Sequence, residues 1–412
     1  MFRCITKLKG LVIDIDSFDN NEIEEWKIIT DKYNCLFITC NEEKARIINK
    51  LYAEKKICKI EKFEKMFAPN EKIHGKVLSD LGVKTTEMIY VSKDLAFLSR
   101  AMGFLSGTVF IGSQMSYKEI SQSPDLLCID LNMLKSALDG GVRGFLGEEF
   151  IYPGEYKRGE VVPIELNMDD STDVVKMRIL GRYFGYVHYM NQLHPYSAAI
   201  FLNKKENGKV YGKFNNMFAR LYISAIKKLQ DRYNLNGVCA VPTRPGKINR
   251  FFEIIKHIEN VCNLQDLSEN MICLKDYPSQ KGLAQNEREE NVDGVFSYNG
   301  SLIGQSVVII DDIVSTGATI KACARELKAK GAEQIFAVVL AVNQIRGNYW
   351  SSEEAYVSCP NCGEKMRLLV NSSSMEFFYL CSECNKTLDF YKGWERLYNH
   401  VNNEFEDVLI LK

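Results

Sequence analysis

Residues 1–139 alternate short apolar runs with stretches of helical periodicity. The apolar runs are Leu11–Ile13, Cys35–Ile38, Met88–Val91, Thr108–Ile111 and Leu126–Ile129. Between them lie Glu22–Lys32, Glu42–Glu54, Lys72–Leu81 and Leu95–Met102. Strand and helix in alternation predict a five-stranded parallel sheet with helices on both faces. The glycine-rich stretch Gly140–Gly144 then breaks the pattern and marks a boundary.

Residues 140–350 read as a second α/β unit. It holds a long helical stretch, Phe214–Tyr233, with Phe218, Leu221, Ala225 and Leu229 on one core-facing side. A strand ending in a turn follows at Gly237–Pro245, and a strand–loop–helix–strand closes the unit from Val307 to Val342. Residues 351–412 carry two pairs of cysteines and are too few for a core of their own. His194–Ser197 reads as a structural turn, and Asp169–Asp170 and Glu148–Glu149 as solvated charges.

Bulk properties narrow the picture only a little. A net charge of −1 gives no general reason to bind nucleic acid or an anionic membrane. No apolar run approaches the roughly 18–20 residues that span a bilayer. The first residues lack the apolar core of a signal peptide, so the cytoplasm is the expected location. Nine of the 13 cysteines are scattered singly, which fits reduced thiols. An oligomer is left open.

The most specific chemistry lies at Val307–Thr319. A β-branched run, Val307–Ile310, suits a buried central strand, and Asp311–Asp312 follow directly. The small residues Ser315, Thr316, Gly317, Ala318 and Thr319 then let backbone N–H groups approach a phosphate, beside the N-terminus of the next helix. The acidic pair would repel that phosphate, so its natural partners are sugar hydroxyls or a metal ion. An ordinary strand-to-helix turn gives no reason for two adjacent, mutually repelling acids.

Val307–Thr319, including Val314, resembles the motif by which type I phosphoribosyltransferases bind phosphoribosyl pyrophosphate (PRPP). Gln285–Phe296 resembles a segment of the ComF-like branch, and Pro242–Lys247 resembles the family's pyrophosphate loop. The resemblance implies PRPP with Mg²⁺ as ligand, its 5′-phosphate on Val314–Thr319 and its ribose hydroxyls on Asp311 and Asp312. Pyrophosphate would leave toward Thr243, Arg244 and Lys247, with Arg250 a further source of charge. An unidentified acceptor would capture the ribose, and residues 155–215 carry no motif that names it.

Leu11–Phe18 resembles the first motif of the haloacid dehalogenase-like (HAD) phosphatases. That likeness makes Asp14 a nucleophile and Asp16 an acid/base. Leu36–Thr39 resembles the second motif, placing Thr39 at the phosphoryl group, and Asp94 falls where the metal-binding acid belongs. Departures occur at Ser17–Phe18, at Phe67–Asn70 and at Ser92–Asp94, with Lys65 or Lys72 as substitute cations. An active phosphatase and a domain that only binds or scaffolds both stay open.

Cys359, Cys362, Cys381 and Cys384 form two CxxC knuckles with eighteen residues between them. That spacing fits a structural four-thiolate Zn²⁺ site, with Gly363 and Asn385 at the tight turns and a β-hairpin around Asn371–Ser374. The whole chain reads as a HAD-like Rossmannoid domain, a ComF-like phosphoribosyltransferase domain and a zinc ribbon. The competing readings are a non-catalytic PRPP or nucleotide sensor, and a HAD phosphatase whose second domain holds a phosphoribosyl ligand.

Overall fold

A computed structural model describes residues 8–52, 54–112, 119–141, 144–151, 159–168, 173–186, 188–277, 285–345 and 356–397. Val142, Arg143, Asp169, Asp170 and the boundary at 350 lie outside the described residues, as do the side chains of Gln285, Asn286, Arg288 and Glu289.

The first sheet has six parallel strands: β1 (Gly10–Asp14), β2 (Cys35–Thr39), β3 (Lys56–Lys59), β4 (Met88–Ser92), β5 (Gly107–Ile111) and β6 (Leu126–Cys128). Their order across the sheet is β3-β2-β1-β4-β5-β6. The five apolar runs occupy all but β3. That strand has one buried side chain in four, so its sequence, Lys-Ile-Cys-Lys, carries no apolar run. β1, β2, β4 and β5 are buried along their full length, as strands covered on both faces must be. The chain leaves β1 for β2 on one side and reaches β4 on the other, which opens a crevice at the carboxyl end of β1.

The second sheet contains β7 (Val162–Asn167), β8 (Val174–Ile179), β9 (Arg182–Phe184), β10 (Gly237–Ala240), β11 (Gln265–Asp266), β14 (Ser306–Val314) and β15 (Gln334–Gln344). Its main path is β11-β10-β14-β15-β8-β7, with β9 paired to β15. All pairs are parallel except the β7–β8 edge. A separate antiparallel pair, β12 (Met271–Cys273) with β13 (Phe296–Tyr298), stands beside it. The long helix runs over Asn215–Gln230 and buries Phe218, Leu221, Ala225 and Leu229. Residues 366–389 form a ribbon of three antiparallel strands, β16 (Met366–Val370), β17 (Phe377–Cys381) and β18 (Thr387–Asp389), one more than the expected hairpin.

The three parts share apolar packing. One buried cluster runs from Val12 and Tyr90 through Val307 and Ala337 to Tyr379 and Leu397. The seam between the sheets also holds a charge cluster that corrects the reading of Glu148–Glu149 as solvated. Both are buried. Glu148 accepts from Arg182 Nε and Nη2 at 2.8 Å each, and Arg182 Nη2 lies 2.8 Å from Asp125 Oδ1. Charge matching across the seam, rather than exposure, accommodates the acid. His194 caps the helix Pro195–Asn203, with Ser197 N donating to its Nδ1 at 3.2 Å.

Candidate functional site

β14 sits between β10 and β15 and is apolar from Val307 to Ile310, until Asp311. β10 ends at Ala240, opposite Ile310, and turns away into the loop carrying Thr243, Arg244 and Lys247. The acidic pair therefore emerges where the sheet opens at its carboxyl edge. Each carboxylate accepts the next backbone N–H: Asp312 N to Asp311 Oδ1 at 2.8 Å, and Ile313 N to Asp312 Oδ1 at 2.7 Å. Tyr222 Oη donates to the Asp311 carbonyl at 2.7 Å and fixes the strand end.

After Val314 the chain turns through Ser315 and Thr316 to Gly317, at φ 79°. A side chain would strain that left-handed position, so glycine is required there. The helix Ala318–Ala329 starts at once, with Ala318 and Thr319 in its first turn. The dipole at this helix N-terminus, a few residues after the acidic pair, favours an anion.

Two cations meet the acids. Arg250 Nη2 lies 3.1 Å from Asp312 Oδ2 and 3.7 Å from Asp311 Oδ1, and Lys204 Nζ lies 3.5 Å from Asp312 Oδ2. Burial and the Asp312 charge push Asp311 up to about 7, against the pull of Arg250. Burial pushes Asp312 up as well, but Arg250 and Lys204 outweigh it and hold that carboxyl below its ordinary range.

The pyrophosphate-loop candidates are spread out. Arg244 lies over the Tyr277 ring, 4.6 Å from its centroid, and 4.0 Å from Asp276. Thr243 lines a cavity of about 290 Å³ between this loop and β12, together with Pro245, Ser268, Glu269 and Cys273. Lys247 is exposed. Lys204, Tyr222 and Tyr277 were not anticipated from sequence. Lys204 follows a helix C-terminus, and the tyrosines stand alone, so none has a local pattern to give it away.

At the first sheet, Asp14 ends β1 and is fully buried. It pairs with Lys65 and accepts from Ser92 Oγ at 2.8 Å. Burial, partly offset by Lys65, raises its pKa above the ordinary carboxylate range. Asp16 accepts from Thr39 Oγ1 at 2.5 Å and from Cys40 N at 2.7 Å. Asp14, Asp16 and Thr39 thus converge at the crevice, where Lys65 pairs with Asp14. Lys72 instead pairs with Glu64 at 3.5 Å on the surface. Asp94 caps the helix Leu95–Gly103, accepting from Ala96 N at 2.8 Å and Phe97 N at 3.3 Å.

In the ribbon, the Sγ atoms of Cys359, Cys362, Cys381 and Cys384 all lie within 4.8 Å of one another. Three pairs stand at 3.5, 3.5 and 3.6 Å. Thiolates at about 2.3 Å from a tetrahedral ion would be about 3.8 Å apart, and a disulfide needs about 2.05 Å. The cluster is therefore compatible with zinc. Gly363 and Asn385 take the left-handed turns, at φ 80° and 56°.

Comparison with known proteins bears on the domain that holds the central site. Residues 274–362 match the family model of the phosphoribosyl transferase domain. The chain is 31% identical over 84 residues to the transcriptional regulator GfcR of Picrophilus torridus, covering 19% of this chain and 37% of that protein. It therefore spans little over a third of that curated relative. Among solved structures, a purine phosphoribosyltransferase from Pyrococcus horikoshii aligns at 22% identity and a TM-score of 0.22, over 33% of this chain and 80% of that one. The GsuK channel aligns at 9% identity and a TM-score of 0.21, over 81% and 61%. The family-model match gives this α/β chain a phosphoribosyl transferase domain at residues 274–362. No helix among the described residues is long and apolar enough to cross a membrane.

Proposed function

We propose that this chain is a PRPP-dependent phosphoribosyltransferase of ComF-like type, acting on a nucleobase-like or other small acceptor. The observation that carries this reading is the acidic pair at the open end of β14, joined within five residues to the Gly317 turn and a helix N-terminus. The turn would hold the 5′-phosphate, and Asp311 and Asp312 the ribose hydroxyls. Arg244, Lys247 and Arg250 would draw charge off with the departing pyrophosphate, and the carboxylates would steady the cationic ribose left behind. A resident Mg²⁺ does not fit beside acids already held by Arg250 and Lys204, so the ion belongs to the substrate as the diphosphate's companion. Zn²⁺ fits the four thiolates of Cys359, Cys362, Cys381 and Cys384, where it would be structural.

In the first sheet, Asp14 and Asp16 would form a HAD-like phosphatase site that removes phosphate from the product or substrate of the transferase. Their support is the buried Asp14 at the crevice, with Lys65 and Ser92 on its two oxygens.

The test is incubation with PRPP, Mg²⁺ and candidate bases, followed by pyrophosphate release. Turnover lost in Asp311→Asn/Asp312→Asn supports the reading; PRPP binding identical in wild type and double variant rejects it. Phosphate release lost in Asp14→Asn but kept in Asp312→Asn would make the first sheet the working enzyme. The regulator relative favours a second reading, a PRPP or nucleotide sensor without chemistry. Ligand-dependent binding of a partner without turnover would select it.

A further inference from the structure

The acidic pair is neutralised twice over by side chains from elements distant in sequence. Lys204 follows the helix Pro195–Asn203, and Asn203 holds that corner by accepting from Phe214 N at 2.8 Å and donating to Asn215 Oδ1 at 2.8 Å. Arg250 comes from the end of the loop after β10, packed over the Phe251 ring. Its grip on the acids is incomplete: Nη2 approaches them at 3.1 and 3.7 Å, and the buried Nε has no hydrogen-bond partner. A guanidinium offers a fork of donors suited to a phosphate or carboxylate, and here the Nε donor is left unused. A buried donor without an acceptor, beside a crevice that favours anions, is one that a ligand can satisfy.

We infer that Lys204 and Arg250 are an exchangeable cation pair. In the free protein they hold Asp311 and Asp312. On binding they pass to an anionic group at C1 of the ribose phosphate, which frees Asp312 for the ribose hydroxyls. The inference rests on the reading of this site as one for a phosphorylated ribose. It adds a specificity: the ligand must carry both a diol for the acids and an anion for the cations. A ribose phosphate lacking the C1 anion would have to break the Lys204–Asp312 and Arg250–Asp312 pairs without replacing them, and so binds more weakly. Lys204, which no motif marks, becomes a specificity-determining residue.

The experiment is calorimetric titration with PRPP and with ribose 5-phosphate, Mg²⁺ in constant excess, on wild type, Lys204→Gln and Lys204→Arg. Lys204 is about one-third exposed, so the fold tolerates both changes. Wild type should prefer PRPP. Lys204→Gln should weaken PRPP about tenfold or more, the loss of one charge-assisted contact. It should leave ribose 5-phosphate unchanged or tighter, since a carboxylate has been released, and Lys204→Arg should restore PRPP. Equal loss of both ligands in Lys204→Gln, or no loss of either, overturns the exchange while leaving the phosphoribosyl site standing. Failure of wild type to bind either ligand overturns the reading of the site itself.

Discussion

Arg182 and Asp125 meet at 2.8 Å across the seam between the two sheets, both buried. Asp125 also accepts from Thr108 N and Oγ1, at 2.9 Å each, so the contact is anchored in the first sheet at β5. On the other side Glu148 takes two more guanidinium donors. Removing Arg182 would strand two carboxylates in an apolar seam. Arg182→Ala is expected to cost about 3–5 kcal/mol, the usual penalty for breaking a buried pair. Chemical denaturation measures it, and a loss below about 1 kcal/mol would refute this account of the seam.

Much of the site was legible because it is local. A β-branched strand, two acids, a small-residue turn and a helix start are consecutive, so sequence alone defines Val307–Thr319. The same holds for the cysteine knuckles, where spacing fixes geometry. Arg250 was legible as a charge near the turn after β10, but its pairing with the acids was not, and Lys204 was missed altogether. They lie 62 and 108 positions from Asp312 and are joined to it only by the folded sheet. Glu148 misled because two adjacent glutamates look solvated unless their distant arginine is known. β3 escaped because an edge strand buries too little to leave an apolar run.

His74 offers a pH test confined to the first sheet. Its ring is fully buried, stacked on Phe104 at 4.2 Å, with Tyr90 Oη at 2.7 Å and Thr85 Oγ1 at 3.0 Å. Burial lowers its pKa to about 3. The unfolded imidazole takes its proton near 6.5, so below that pH the unfolded state binds more protons. Stability from this group is complete above about pH 6.5 and falls toward pH 3, by up to ~1.4 kcal/mol per pH unit. Denaturation midpoints from pH 7 to pH 4 should show this slope, and His74→Gln should flatten it. An unchanged slope in the variant would assign the pH dependence elsewhere.

The ribbon buries only a small apolar set of its own, Val357, Met366, Leu368, Tyr379, Phe390, Trp394 and Leu397. Phe377 stacks on Phe214 at the start of the long helix Asn215–Gln230, 6.2 Å between centroids. If Zn²⁺ closes the thiolate cluster as proposed, so small a unit should depend on the ion to hold its turns. Native mass spectrometry should find one zinc per chain, lost in Cys381→Ser. Chelation should raise amide exchange in residues 356–397 while the two sheets stay protected. Unchanged exchange after metal removal would leave the ribbon standing on packing alone.

Asp311 sets function against stability. Burial and the Asp312 charge push its carboxyl up to about 7, whereas the unfolded group titrates near 4. Between those values the folded state binds more protons, so stability falls as pH rises from about 4 to 7 and is flat above. At pH 8 the folded chain therefore carries a buried charge that an amide would not. Asp311→Asn should raise stability at pH 8 by about 1–3 kcal/mol, the order of a few pKa shifts of a coupled buried acid, and change it little at pH 4. The same substitution should abolish ligand binding, as expected where a site is kept charged at the expense of the fold. Thermal melts of wild type and variant at the two pH values decide it. A variant less stable than wild type at pH 8 would mean that Arg250 and Lys204 need both carboxylates more than the sheet resents them.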